Sequence, residues 1–134
     1  MTITQKALRS FYEILNKLVL DHKAIHSVTS KLADLQYANH EFYDTKKIFS
    51  FIRYVENEEQ LLFILNFDFY NTYDIQVAIP NEVWSRIGLD TSKTYILKEV
   101  FIDQSVQLEL RANENLHLKL PNNQVYVFQI QPKP

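Results

Sequence analysis

Period-two alternation, repeated at short intervals, constrains this chain more than anything else in it. In "YDIQVAI" (73–79), Tyr73, Ile75, Val77 and Ile79 alternate with Asp74, Gln76 and Ala78. In "LHLKL" (116–120), three leucines alternate with His117 and Lys119. Successive side chains of a strand point to opposite faces, so each stretch reads as a strand with one buried face. Further strand signals lie at 48–54 ("IFSFIRY"), 61–69 ("LLFILNFDF"), 94–102 ("TYILKEVFI"), 106–111 ("VQLELR") and 125–130 ("VYVFQI"), with a short strand expected near 35–37. Polar turns such as "ENEE" (56–59) and "PNNQ" (121–124) separate them. Seven or so short strands at this spacing predict a mostly β protein, an antiparallel Greek-key β-sandwich. "EVWSRIGL" (82–89) reads as a short helical turn closed by Gly88.

The N-terminal part follows another period. In "LRSFYEILNKLVLDHKAI" (8–25), Leu8, Phe11, Tyr12, Leu15, Leu18 and Val19 share one helical stripe. Ala7, Ile14 and Ile25 widen the stripe to about 160°. This predicts one amphipathic helix over 1–25 ahead of a sandwich over 34–131, within one domain of 134 residues. Periodicity leaves two partners open: the chain's own sandwich, or a second layer outside it.

Composition removes whole classes of function. There is no Cys, so disulfides, thiol catalysis and zinc-thiolate sites are excluded. The single Gly excludes Gly-rich phosphate loops and the nucleophile elbow, and leaves turns to Asn, Asp and Pro. A formal net charge of −2 with no basic run argues against nucleic acid. No apolar run approaches the ~20 residues that span a bilayer, which argues against a membrane. "MTITQK" carries no apolar signal region, so no export of this chain by itself is expected, and the compartment stays open.

Nothing resembles a catalytic or cofactor site. His22 and His26 stand at i, i+4, but Lys23 replaces the Glu of a zincin motif, so a solvated helix end is expected and no metal. Glu58 and Glu59 fall in a turn, and Asp68 and Asp74 flank what reads as a hairpin connection. Glu99 and Glu109 are expected to face outward from strands. The chain alone is expected not to be an enzyme and to need no cofactor. Aromatic rings in or beside loops remain as candidate sugar contacts: Trp84, Tyr70 and Tyr73 first, then Tyr37 and Tyr43. Core-edge packing with a wet hydroxyl is the competing explanation for each.

The ordered elements resemble the C-terminal region of α-amylase family glycoside hydrolases. Leu8, Arg9, Phe11, Tyr12, Leu15, Leu18, Ala24 and Ile25 are similar to the last helix of the catalytic barrel. Phe51, Arg53 and Tyr54 resemble an aromatic-x-Arg strand, and Asn66-Phe67 the end of the next. "YDIQVAIP" and "LHLKLPNNQVYVFQI" resemble the later strands and closing hairpin, whereas "DLQYANHEFYD" (34–44) corresponds to no element of the pattern. The resemblance implies a non-catalytic β-sandwich that stabilises the (β/α)8 barrel of a parent enzyme acting on starch and related α-glucans. The family's catalytic carboxylates lie upstream of this last helix, so none maps onto these residues. The helix would then pack partly on that barrel. A free-standing carbohydrate-binding module and a protein-interaction module docking or weakly self-associating through the helix stay open as alternatives.

Overall fold

The computed structural model describes residues 9, 13, 24, 30–101 and 106–133. The helix expected over 1–25 therefore lies outside the described residues, apart from Arg9, Glu13 and Ala24, which are all helical. Arg9 Nε and Glu13 Oε1 pair across one turn at 3.6 Å.

Eight strands are described: β1 (Lys31–Asp34), β2 (Ile48–Val55), β3 (Glu59–Asn66), β4 (Tyr73–Val77), β5 (Thr94–Glu99), β6 (Gln107–Arg111), β7 (Leu116–Leu120) and β8 (Val125–Pro132). They form two antiparallel sheets. The larger has the order β1-β2-β3-β8-β5-β6, and the smaller pairs β4 with β7. Crossings between sheets place β8 between β3 and β5, in the manner of Greek-key sandwiches. β3 and β4 lie in different sheets, so the connection holding Asp68 is a sheet crossing and not the expected hairpin.

The alternation sorts directly into layers. Ile48, Ile52, Leu62, Ile64, Leu97 and Phe128 of the larger sheet meet Ile75, Val77, Leu116 and Leu120 of the smaller in one core. His117 and Lys119 point to solvent, as expected. The early strand signal shifts: β1 stops at Asp34, and Tyr37–Asn39 forms a 3-10 turn instead. Side chains explain the stop. Gln36 donates to the carbonyls of Thr45 (3.2 Å) and Ile48 (3.0 Å) and accepts from the Ser50 N–H (2.8 Å). It thereby occupies the ladder positions a longer β1 would use.

A short helix, α1 (Asn81–Arg86), crosses between β4 and β5. Pro80 suits its start, since proline's missing N–H is not needed there. Its end is a Schellman closure: Leu89 N–H donates to Trp84 C=O (2.9 Å) and Gly88 N–H to Ser85 C=O (3.2 Å). Gly88 has φ 90°. Among the described residues the other positive-φ positions are Asn57, Asn113 and Asn123, so asparagine supplies the turns that glycine commonly would.

Candidate functional site

Where β3 ends, polar side chains replace the main-chain ladder. Asn66 is buried. Its amide donates to Asn71 C=O (3.0 Å) and Pro121 C=O (3.1 Å), and its Oδ1 accepts the Asp68 N–H at 2.8 Å. This one side chain ties the 67–72 loop to the turn before β8. Asp68 continues the knot. Its Oδ1 accepts the N–H groups of Tyr70 (2.9 Å) and Asn71 (3.2 Å). Its Oδ2 accepts from the Tyr73 hydroxyl (2.6 Å) and the Asn71 amide (2.9 Å), with Lys47 Nζ at 3.7 Å. The Tyr73 hydroxyl, then the Asn71 amide and the Tyr70 N–H, hold the Asp68 carboxyl well below the usual carboxylate range. The same bond raises the Tyr73 phenol and keeps it a donor. Above this braced loop Tyr70 is 79% exposed.

The ring candidates separate accordingly. Tyr70 sits in the loop and Tyr73 opens β4 beside it, but Tyr73 is half-buried and its hydroxyl is taken by Asp68. Trp84 is not the exposed ring its sequence neighbours suggest: it is 1% exposed, on the core face of α1, edge-on to Tyr95 with centroids 5.5 Å apart. Its ring offers no open face, because the Schellman closure folds α1 onto the core. Tyr43 is also buried, hydrogen-bonded to Ser50 and Gln36. Tyr37 is 87% exposed.

The carboxylates separate too. Glu109 is exposed and paired with Lys133 (2.6 Å) and Arg111 (3.1 Å). Glu99, expected to face outward, is fully buried. Its Oε2 accepts the Val127 N–H and its Oε1 the Phe101 N–H, both at 2.9 Å, while Val100 N–H bonds Val127 C=O at 2.9 Å. The side chain thus stands in for a main-chain acceptor where β5 leaves β8. His22 and His26 lie outside the described residues, and among the described residues no three His, Asp or Glu side chains gather to hold a metal.

The larger sheet has a second apolar face. Leu61, Phe63, Leu65, Val125 and Val127 form a buried cluster pointing away from the sandwich core. Phe49, Phe51, Phe67, Val100 and Phe101 pack around it half-buried, with Phe51 and Phe63 stacked at 4.8 Å. Ala24 is buried in this cluster, and its N–H donates to Glu59 Oε1 at 2.9 Å. A signal for this face was available: "LLFIL" (61–65) is continuously apolar, which marks a strand buried on both sides.

The arrangement is a sandwich with one Phe-rich outer face and a braced, ring-bearing loop. The family model described as the C-terminal all-beta domain of alpha amylase matches residues 42–131. A search of curated proteins finds no match to the chain.

Proposed function

The chain belongs to the family of α-amylase C-terminal all-β domains, and on that premise we propose that it stabilises a catalytic (β/α)8 barrel that acts on α-glucans. Domains of this family pack with the barrel of an α-amylase. The observation that carries the reading is the outer Phe face of the larger sheet. A sandwich needs only its inner faces apolar, yet here β2, β3 and β8 are apolar on both. Ala24 packs on that face with its backbone held by Glu59, which supports the 1–25 segment as the barrel's last helix, lying between barrel and sandwich. The role is non-catalytic, and the domain division at residues 26–34 belongs to the same reading. Tyr70, raised on the Asp68 knot, adds a secondary glucan contact.

The size of the native gene product tests this. An antibody to the sandwich should mark a band larger by at least the roughly 250 residues of a barrel. A band near 15.9 kDa would overturn the reading.

A further inference from the structure

The 3-10 turn at Tyr37–Asn39 carries the most exposed large ring among the described residues, and nothing in the barrel-supporting role uses it. It also lies before the segment the family model matches. Exposed tyrosines commonly sit on loose loops, but this one does not. On one side, Gln36 makes four hydrogen bonds, to Thr45 C=O, Ile48 C=O, Ser50 N–H and the Tyr43 hydroxyl. On the other, the fully buried Asn39 pairs with a peptide: its Oδ1 accepts Ala78 N–H at 2.6 Å and its amide donates to Ala78 C=O at 3.0 Å and Leu35 C=O at 2.8 Å. Two polar side chains thus clamp the turn to both sheets.

The ring itself is backed. His40 stacks on Tyr37 with centroids 5.4 Å apart and planes inclined by 29°. His40 Nδ1 donates to Tyr37 C=O at 2.6 Å, which leaves Nε2 at the rim beside Glu41 Oε1, 3.9 Å away. A clamped aromatic plane with one face backed, the other wet, and polar atoms at its edge is preorganised for a flat ligand that has an apolar face and a hydroxyl rim. Preorganisation removes the ordering cost that a mobile side chain would carry.

We propose that Tyr37 and His40 form a stacking platform for a glucose ring of an α-glucan, with the pyranose C–H face on Tyr37 and a sugar hydroxyl on His40 Nε2 or Glu41. The choice of an α-glucan rests on the α-amylase reading above. The Tyr37 platform is a site separate from Tyr70.

The test is an NMR titration of the 134-residue chain with maltoheptaose, alongside Tyr37→Ala, Tyr37→Phe and Tyr70→Ala. Residue 37 is almost wholly in solvent, so its substitution leaves folding intact. Expected is fast-exchange shifting of the 36–41 amides, a Kd read at those amides weakened about tenfold or more in Tyr37→Ala and near-native in Tyr37→Phe, and in Tyr70→Ala loss of shifting at its own loop while the 36–41 shifts persist. Unchanged affinity in Tyr37→Ala, or no shift of the 36–41 amides at saturating sugar, would overturn the platform. Loss of the 36–41 shifts in Tyr70→Ala alone would also overturn it while supporting the Tyr70 contact. The barrel-supporting role is read from gene-product size and stability, so its failure is distinguishable from this one.

Discussion

Replacing Gly88 with alanine should destabilise the sandwich well beyond the effect of an ordinary surface substitution. Two independent penalties act at once. The backbone there has φ 90°, a region in which a Cβ costs about 1–2 kcal/mol. An added Cβ would also stand 2.7 Å from Asn57 Oδ1 and 2.9 Å from Asn57 N. The amide oxygen can rotate away, but the backbone nitrogen belongs to the β2–β3 turn and cannot move without that turn. Shifting it costs about another 1–2 kcal/mol, as other overpacked sites do. The total is about 2–4 kcal/mol. For a chain of this size each kcal/mol is worth roughly 3–5 °C, so the midpoint should fall by roughly 10 °C. Thermal and urea unfolding by circular dichroism measure it. Asn57→Gly separates the parts. Its own φ of 63° suits glycine, and in the double variant it removes the Oδ1 contact while leaving the backbone contact and the dihedral penalty. The double variant should therefore recover part of the loss and not all of it. A loss under about 0.5 kcal/mol in Gly88→Ala would rule out both penalties, and full recovery in the double variant would rule out the backbone part.

Three further outcomes follow from the buried polar groups and the core. Glu99→Ala strips the acceptor from Val127 N–H and Phe101 N–H and should cost about 2–4 kcal/mol in urea unfolding, with Glu99→Gln losing roughly half because it keeps one acceptor oxygen; equal stability of Glu99→Ala and the native chain would contradict the ladder role. Asp68 has a lowered carboxyl pKa, so its contribution is present above the ordinary carboxylate value near 3.9 and is lost as pH falls further toward the folded value. The native midpoint should therefore drop steeply below about pH 4, and Asp68→Asn should flatten that slope; parallel slopes would remove Asp68 from the account. Trp84, the sole tryptophan, should emit at short wavelength and resist iodide quenching until the chain unfolds, and maltooligosaccharide should leave its emission unchanged; quenching in the folded state would put the ring back on the surface.

The layers were legible because main-chain alternation and burial share one period. Tyr73–Val77 and Leu116–Leu120 could be placed, with their inward and outward residues, from sequence alone. Strand ends were less legible. β1, β3 and β5 end or are extended where Gln36, Asn66 and Glu99 take over main-chain bonds, and no local pattern distinguishes such a side chain from a solvated one. Glu99 therefore reads as outward-facing although it is buried. Trp84 misled for a related reason. Its neighbours Pro80, Asn81 and Gly88 are turn residues, and the fold of α1 onto the core depends on hydrogen bonds to the backbone that side-chain periodicity does not record. The Phe face was written in the sequence as an unbroken apolar run at 61–65, and its meaning depends on the order of strands beside it. Of the candidate site, exposure of Tyr70 was readable from its loop. The Asp68 knot beneath it was only partly legible: Tyr70, Asn71 and Tyr73 lie within five residues of Asp68, but Lys47 and, through Asn66, Pro121 come from distant segments.

The most direct test of the barrel-supporting role compares Phe49→Ala and Phe67→Ala in two settings: the isolated 134-residue chain and the native full-length gene product. These rings are half-buried on the outer face, tilted against each other at 5.2 Å. A barrel-supporting face should give a larger loss of thermal stability in the full-length protein than in the isolated chain, with turnover per folded molecule unchanged. Equal losses in both settings, or lost turnover at an unchanged melting temperature, would contradict it.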